Sequence, residues 1–433
     1  MTYQEALTYI HAVSWKGSQP GLSRITELMH RLGDPQLGQK YIHIVGTNGK
    51  GSTAAMLSSI LTRAGYRTGL FISPYVIDFR ERMQINGEMI SKRALAAATA
   101  HVRPFAEAME DKPTEFELIA AIGLWWFARE KCDIVVLEAG MGGALDATNV
   151  IPAPEAAVFT NIGLDHTEYL GPTVEAIAET KAGILKPGCD AVLYPNVPSV
   201  EAVIRRLCAE KNIPLTVADP GRLQPLAADL GGQRFAFGDM TLSLPLLGEH
   251  QRYNTAVVLS VVETLRRRGW EISDEALREG LATVAWPSRF ELLSREPLFV
   301  LDGGHNPQCM EALHRAVETY LGGRPLTVIT GVLADKDYAD MYDGLAPLAD
   351  RFLTLTPPNP RALPAEDLAA WLSRYGKPVK PCQSAREAVR LALDTLPKDG
   401  AILACGSLYM ASELRPAAQK QLENRQQATG NRQ

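Results

Sequence analysis

Only six of the 433 residues are cysteine (Cys132, Cys189, Cys208, Cys309, Cys382 and Cys405), and none stands in C-x-x-C spacing. That scarcity argues against a zinc site and against a secreted disulfide framework. No apolar run reaches the roughly 20 residues that cross a bilayer; the longest, Leu118 to Ala128, falls well short. Met1 to Trp15 lacks a basic stretch followed by an apolar core, so neither an export signal nor a membrane anchor is expected, and a cytoplasmic location fits. Lys and Arg total 44 against 49 Asp and Glu, a net charge of -5 with no long basic cluster, which makes nucleic acid and membrane surfaces poor candidate partners. There is no internal repeat or low-complexity segment, and only the polar tail after about Gln419 is expected to fray.

The length exceeds what one hydrophobic core usually serves, so two domains are expected. Apolar, β-rich runs alternate with helical patterns: Tyr41 to Val45 and then a helix from Ser52, Thr68 to Ile72, Ile134 to Leu137, Ala156 to Thr160, and Ala191 to Tyr194. This is the rhythm of a parallel sheet covered by helices. A helix is predicted from Thr114 to Glu130. Between about Arg222 and Leu246 the pattern shortens and alternates, as in a small antiparallel patch, before a long helix begins near His250. A second strand and helix series follows Pro297, with strands at Leu298 to Leu301, Leu326 to Thr330, Phe352 to Thr356, and Ala401 to Ala404. The expected fold is therefore α/β: an N-terminal domain, residues 1–290, with a P-loop-type parallel sheet and an antiparallel patch, and a smaller Rossmann-like domain, residues 291–433.

The segment Ile42 to Thr53 runs from an apolar strand into a glycine-punctuated loop and on into a helix. In such a loop, backbone N–H groups approach phosphate oxygens, the helix terminus adds partial positive charge, Lys50 adds a full one, and Ser52 offers a hydroxyl to Mg²⁺. ATP is the implied nucleotide. The match to G-x-x-x-x-G-K-[ST] is imperfect, because residue 44 is Ile and Gly51 separates the lysine from the serine, so a tight turn without a ligand is the bland alternative.

In open α/β sheets the ligand crevice lies beyond the carboxyl ends of the strands. The polar residues there are Ser73, Glu138, and Asp165 with His166. Taken singly, these read as a turn former, a solvated acid and surface groups. Placed together beside a phosphate loop they point to a Mg²⁺ site, which favours hard oxygen ligands; histidine is the unusual member. In the predicted helix Thr173 to Lys186, Val174, Ile177, Lys181 and Ile184 share one stripe, so Lys181 faces apolar surroundings. Burying a bare ammonium is costly. Either the side chain snorkels to water, or its charge is used or chemically altered near the nucleotide.

With these residues assembled, the chain resembles the folylpolyglutamate synthase and dihydrofolate synthase family of the Mur ligase superfamily. The segments that carry the likeness are His43 to Thr53, Ser73-Pro74 with Glu81-Arg82 and Asn86-Gly87 downstream, Thr114 to Glu117, Val136 to Val150, Asn161 to His166, Glu179 to Gly183, and Leu301 to Pro307, in family order. The resemblance implies that Gly46, Thr47, Asn48, Gly49, Lys50, Gly51 and Ser52 bind ATP phosphates, and that Ser52, Ser73, Glu138 and His166 hold Mg²⁺. It implies that Lys181 is carbamylated. Asn254, Arg289 and Asp302 would contact the nucleotide, His305 and Lys336 (in Ala334 to Asp337) would face the reaction, and Gly21, Thr114, Phe116, Asp146 and Ala147 would line a pterin pocket. Relatives carry Arg, Ala and Gly where this chain has Ala144, Gly304 and Ser288; the first leaves the pocket charge open.

The activity so implied is ATP-dependent attachment of L-glutamate to a reduced folate, or to dihydropteroate, through an acyl phosphate. Two domains joined near Arg289 would offer a hinge. A monomer is expected, and a need for a monovalent cation is left open. The alternatives are another amide ligase of the superfamily and a non-catalytic nucleotide-binding module. The first would not be expected to carry the Thr114 to Glu117 and Gly142 to Asn149 combination, and the second has no use for the metal trio and the stripe lysine.

Overall fold

All five residues of Tyr41–Val45 are buried, as a strand requires when helices cover both faces of its sheet. The structure is a computed structural model that describes residues 1–13, 16–17, 19–336 and 338–430, with the side chains of 428–430 excepted. Its first eight strands are β1 (Tyr41–Val45), β2 (Thr68–Phe71), β3 (Met83–Ile85), β4 (Glu88–Met89), β5 (Ile134–Glu138), β6 (Ala156–Phe159), β7 (Asp190–Leu193) and β8 (Leu215–Val217). They form one sheet in the order β4-β3-β2-β5-β1-β6-β7-β8, parallel apart from the short β3 and β4 at one edge. Next come β9 (Gln224–Asp229), β10 (Gly232–Phe237) and β11 (Met240–Leu244), a three-stranded sheet in the expected patch. The last six are β12 (Glu291–Arg295), β13 (Leu298–Leu301), β14 (Leu326–Thr330), β15 (Arg351–Thr354), β16 (Val379–Pro381) and β17 (Ala401–Cys405). They order as β12-β13-β17-β14-β15-β16, with antiparallel β12 at the edge. The α/β class stands.

The chain divides into two compact units: Met1–Gln224 with Phe235–Ser243 and Gln251–Val284, and Pro225–Arg234 with Leu244–His250 and Ala285–Gln433. The second thus takes in pieces upstream of residue 291. No helix among the described residues is long and apolar enough to cross a membrane.

Helix ends follow local chemistry. Thr114 accepts from the Glu117 N–H while the Glu117 carboxylate accepts from the Thr114 N–H, a reciprocal cap that starts the buried helix Glu115–Arg129. Two expectations need correction. The helix predicted to run from Thr173 to Lys186 ends at Lys181 and gives way to a 3-10 turn, Ala182–Ile184. Pro187 has no N–H to offer the Gly183 carbonyl, and the Asn149 side-chain amide donates to it instead, at 3.1 Å. Of the tail expected to fray after Gln419, the described part is helical: the helix Leu408–Gly430 carries through it, with Leu422 buried and Gln421 bonded to the Arg386 carbonyl, while Asn431 to Gln433 lie outside the described residues.

The helix Lys50–Arg63, which begins in the phosphate loop, packs on the helix Asp274–Thr283 at Gly280. The Ser59 hydroxyl donates to the Gly280 carbonyl at 2.7 Å. A methyl group on Gly280 would lie 2.5 Å from the Ile60 Cα, which is backbone and cannot rotate away. Gly280→Ala is therefore expected to lower stability by about 2 kcal/mol despite alanine's better helix propensity. A denaturant midpoint at or above that of the parent would show that the two helices separate freely.

Candidate active site

Within the first unit, the carboxyl ends of β2, β5, β1 and β6 bring most of the predicted residues to one rim. Gly49 caps the helix Lys50–Arg63 with φ +87, a conformation that favours glycine, and an added Cβ would lie 2.6 Å from Asn254 Oδ1. Asn254 is thereby set against the loop. Its Nδ2 donates to Gln251 Oε1 at 3.0 Å, and Gln251 Nε2 donates to the Ser52 hydroxyl at 3.3 Å. The loop is pinned from the other side as well, where the Thr47 N–H donates to the Asn161 carbonyl and its hydroxyl exchanges hydrogen bonds with the Gly163 backbone. Asn48 and Asn161 form an isolated bridge. Lys50 Nζ donates to the Gly46 and Thr47 carbonyls, both at 3.1 Å.

Lys181 is only 3% exposed and does not snorkel. Its Nζ donates to the Gly46 carbonyl at 3.0 Å, so two lysines converge on one loop oxygen. Burial, and secondarily the Lys50 charge, lower its pKa from 10.5 to about 7. An amine so tuned is substantially neutral, hence nucleophilic, at neutral pH.

Register aligns Glu138 with Ile44 of β1, and Leu137 with Phe71 of β2. The Ser73 N–H, two residues beyond Phe71, consequently donates to Glu138 Oε2 at 3.2 Å, while Arg82 donates to the Ser73 hydroxyl at 3.0 Å. Glu138 is buried. His166, on the loop that follows β6, caps a short helix with φ +49, and its side chain is 50% exposed. No group of three or more His, Cys, Asp or Glu among the described residues is arranged to hold a metal. The predicted donors are of another kind, chiefly two hydroxyls and one carboxylate, a set that suits Mg²⁺ by its hard oxygens.

The predicted pocket residues adjoin this rim. The Phe116 ring covers Gly140, where a Cβ would meet it at 2.5 Å, and packs edge-on to Phe71. Thr114 is the buried cap of the helix that carries Phe116. Asp146 is buried; it accepts from the Met141 N–H at 2.7 Å, the Thr148 N–H at 2.9 Å and the Thr148 hydroxyl at 2.5 Å. Burial raises its pKa and these donors oppose the rise. Ala147 begins the 3-10 turn that Asp146 caps, and the Gly21 N–H donates to the Leu145 carbonyl at 3.4 Å. Ala144, in place of the family arginine, donates its N–H to the Thr180 carbonyl at 2.9 Å, which ties the pocket loop to the helix of Lys181.

In the second unit, Asp302 follows β13 and accepts from the Phe290 N–H at 2.8 Å and the Gly304 N–H at 2.7 Å. A Cβ at Gly303 would stand 2.9 Å from an Arg289 nitrogen. His305 pairs through Nδ1 with the Gly303 carbonyl at 3.0 Å. Lys336 lies in the turn after β14, its N–H bonded to the Leu333 carbonyl; Asp337, the end of its motif, lies outside the described residues. Arg289, Asp302 and His305 thus share one strand end, and Lys336 stands at another of the same sheet.

Residues 44–262 match the Mur ligase middle domain, and residues 288–408 match the Mur ligase glutamate ligase domain. Over 428 residues the chain is 38% identical to the folylpolyglutamate synthase of Lacticaseibacillus casei, covering 96% of this chain and 98% of that one. It is 36% identical to the dihydrofolate synthase/folylpolyglutamate synthase of Bacillus subtilis, covering 95% and 98%. The chain belongs to the folylpolyglutamate synthase and dihydrofolate synthase family of Mur ligases. The same fold appears in the Escherichia coli FolC complex with DHPP and ADP, at a TM-score of 0.86 and 29% identity over 98% of this chain and 99% of that one.

Gln251, which bridges Asn254 and Ser52, drew no reading from the sequence, and Arg82, named only as part of the family likeness, proves to grip Ser73. His250 went unnoticed as well; it is half-buried near Asp302 and Arg289, and desolvation lowers its pKa. Gln251 had little signal of its own, since it stands among the polar residues Glu249, His250, Arg252 and Asn254 at the start of its helix.

Proposed function

We propose that the chain uses ATP to join L-glutamate to the carboxylate of a pterin substrate, either dihydropteroate or a reduced folate. The observation that carries this reading is the position of Lys181: its amine bonds the phosphate loop at Gly46, while the preceding carbonyl, that of Thr180, holds the pocket loop at Ala144. Phosphate chemistry and an aromatic-walled pocket are thereby joined through one helix end.

A carboxylate is a poor acyl donor, so one of its oxygens attacks the γ-phosphorus of ATP and ADP leaves. The product is an acyl phosphate. The glutamate amine then attacks the acyl carbon, the tetrahedral intermediate collapses with loss of phosphate, and the amine proton is released. Lys50, freed from the loop carbonyls, offsets charge on the transferring group, and the loop N–H groups orient the phosphates. Ser52, Ser73, Glu138 and His166 would hold Mg²⁺, which when bound supplies further positive charge there. Gln251 and Arg82 position the two serines. Phe116 offers a flat apolar wall to the pterin ring. The neutral Lys181 amine can add to CO₂ with release of a proton, and the resulting carbamate would set an anion beside Lys50.

The test is ADP release from the purified chain with ATP, Mg²⁺ and L-glutamate, run with dihydropteroate and with tetrahydrofolate, with product masses recorded. Turnover is expected with at least one, each product heavier by one glutamate residue. ADP release that ignores the pterin would overturn the reading.

A further inference from the structure

Two chain segments that line the proposed pterin pocket are held together by a single side chain, and a backbone hydrogen bond joins a third to them. Arg24 lies in the helix Ser23–Arg31, just after Gly21. Its Nε donates to both oxygens of Glu117, at 2.9 and 3.2 Å, one terminal nitrogen donates to the Gln19 carbonyl at 2.6 Å, and the other to Asp111 at 3.4 Å. Glu117 is committed on its other side, accepting from the Thr114 N–H at 2.7 Å within the cap of the Phe116 helix. The Arg24 and Glu117 side chains are 11% and 4% exposed, so this pair is shielded and geometrically fixed, unlike a surface ion pair. Lys16 reinforces the junction by donating to the Lys112 carbonyl at 2.6 Å. Beyond it, the Gly21 N–H meets the Leu145 carbonyl, the residue before Asp146 and Ala147.

We propose that Arg24 is a positioning residue for pterin binding: it clamps the Gln19–Gly21 segment onto the first turn of the Phe116 helix, so that Gly21, Thr114, Phe116 and the Leu145–Ala147 segment act as one preformed wall. The proposal rests on the pterin reading given above. Arg24 itself need not touch substrate, because its guanidinium is already engaged by three protein partners. A planar fork suits this task and an ammonium does not, since lysine cannot span Glu117 and the Gln19 carbonyl in the same geometry. A preformed wall spares the ordering cost at binding, so losing it should appear in affinity for the pterin and not in the chemical step.

The experiment is steady-state kinetics on the full chain for Arg24→Gln and Arg24→Lys, varying pterin, ATP and glutamate in turn, with melting curves for each protein. The expected result for Arg24→Gln is a pterin KM raised about tenfold, with the ATP KM and kcat at saturating pterin both within about twofold of the parent. Arg24→Lys should fall between the two. A pterin KM equal to the parent's would overturn the proposal, as would an ATP KM that rises in parallel, which marks general loosening. If Arg24→Gln does not fold, the ratio of pterin to ATP effects in Arg24→Lys decides by the same criteria. A parent enzyme silent with every pterin carboxylate removes the functional reading itself, whereas an active parent with an indifferent variant removes only the clamp.

Discussion

Lys181→Ala should lower glutamate-ligation turnover by about a hundredfold or more, the scale seen when one preorganised charged group is lost at a phosphoryl-transfer site. The side chain is buried and bonded to the Gly46 carbonyl, so an alanine leaves a void and removes one of the two lysine donors from that loop oxygen. Lys181→Arg separates these effects from carbamylation, because it restores a cation that does not add CO₂; it too should be nearly inactive. With a pKa of about 7, the amine is mostly protonated at pH 6 and mostly neutral at pH 8. At matched dissolved CO₂, depleted enzyme should therefore regain activity about tenfold faster at pH 8 than at pH 6. Near-parental rates in Lys181→Arg would sink the carbamate, and a recovery at matched CO₂ that is independent of pH would detach it from this amine.

Glu138→Ala should either abolish turnover or raise the Mg²⁺ concentration for half-maximal activity about tenfold or more, because it deletes the one carboxylate among the proposed donors. The same change frees the Ser73 N–H, which now donates to Glu138 Oε2, so the serine hydroxyl would lose its placement as well. Glu138→Gln keeps an oxygen acceptor for that N–H while removing the charge. It should fold like the parent and still show the raised Mg²⁺ requirement. A Mg²⁺ titration curve superimposable on the parent's would take Glu138 out of the metal site.

Much of this arrangement was legible because buried parallel strands announce themselves as short unbroken apolar runs. The predicted Leu298 to Leu301 and Leu326 to Thr330 segments are β13 and β14 as they stand. The residue after such a run is where a polar group can reach solvent or ligand, which is why Glu138 and Ser73 could be singled out and do meet. The short strands β3, β4, β8, β12 and β16, at or next to a sheet edge, escaped notice, since two to five residues carry little pattern of their own. The helix end at Lys181 was misjudged because it depends on Asn149, distant in sequence, satisfying a carbonyl that Pro187 cannot. Lys181's burial was readable from its stripe, whereas its bond to Gly46 was not: a hydrogen bond across 135 residues leaves no local trace. For the same reason Arg24 drew no reading, and Glu117 entered only as the end of a segment that carries the family likeness.

The place of β1 sets a hierarchy of motion. It runs between β5 and β6 near the middle of eight strands, with every residue buried. Its backbone amides can meet solvent only when the whole sheet opens, so deuterium should enter them at the slowest rate in this unit. The phosphate loop begins at the last of those residues and thus inherits the immobility of its anchor. The pterin side is tied instead by the Arg24 bonds to Glu117 and the Gln19 carbonyl, so its opening cost is that of a side-chain clamp and not of a sheet. Slow exchange at the Glu117 N–H as well as in β1 would mean that both substrates meet a preformed seat, whereas fast exchange at Glu117 alone would mean that the clamp opens on its own.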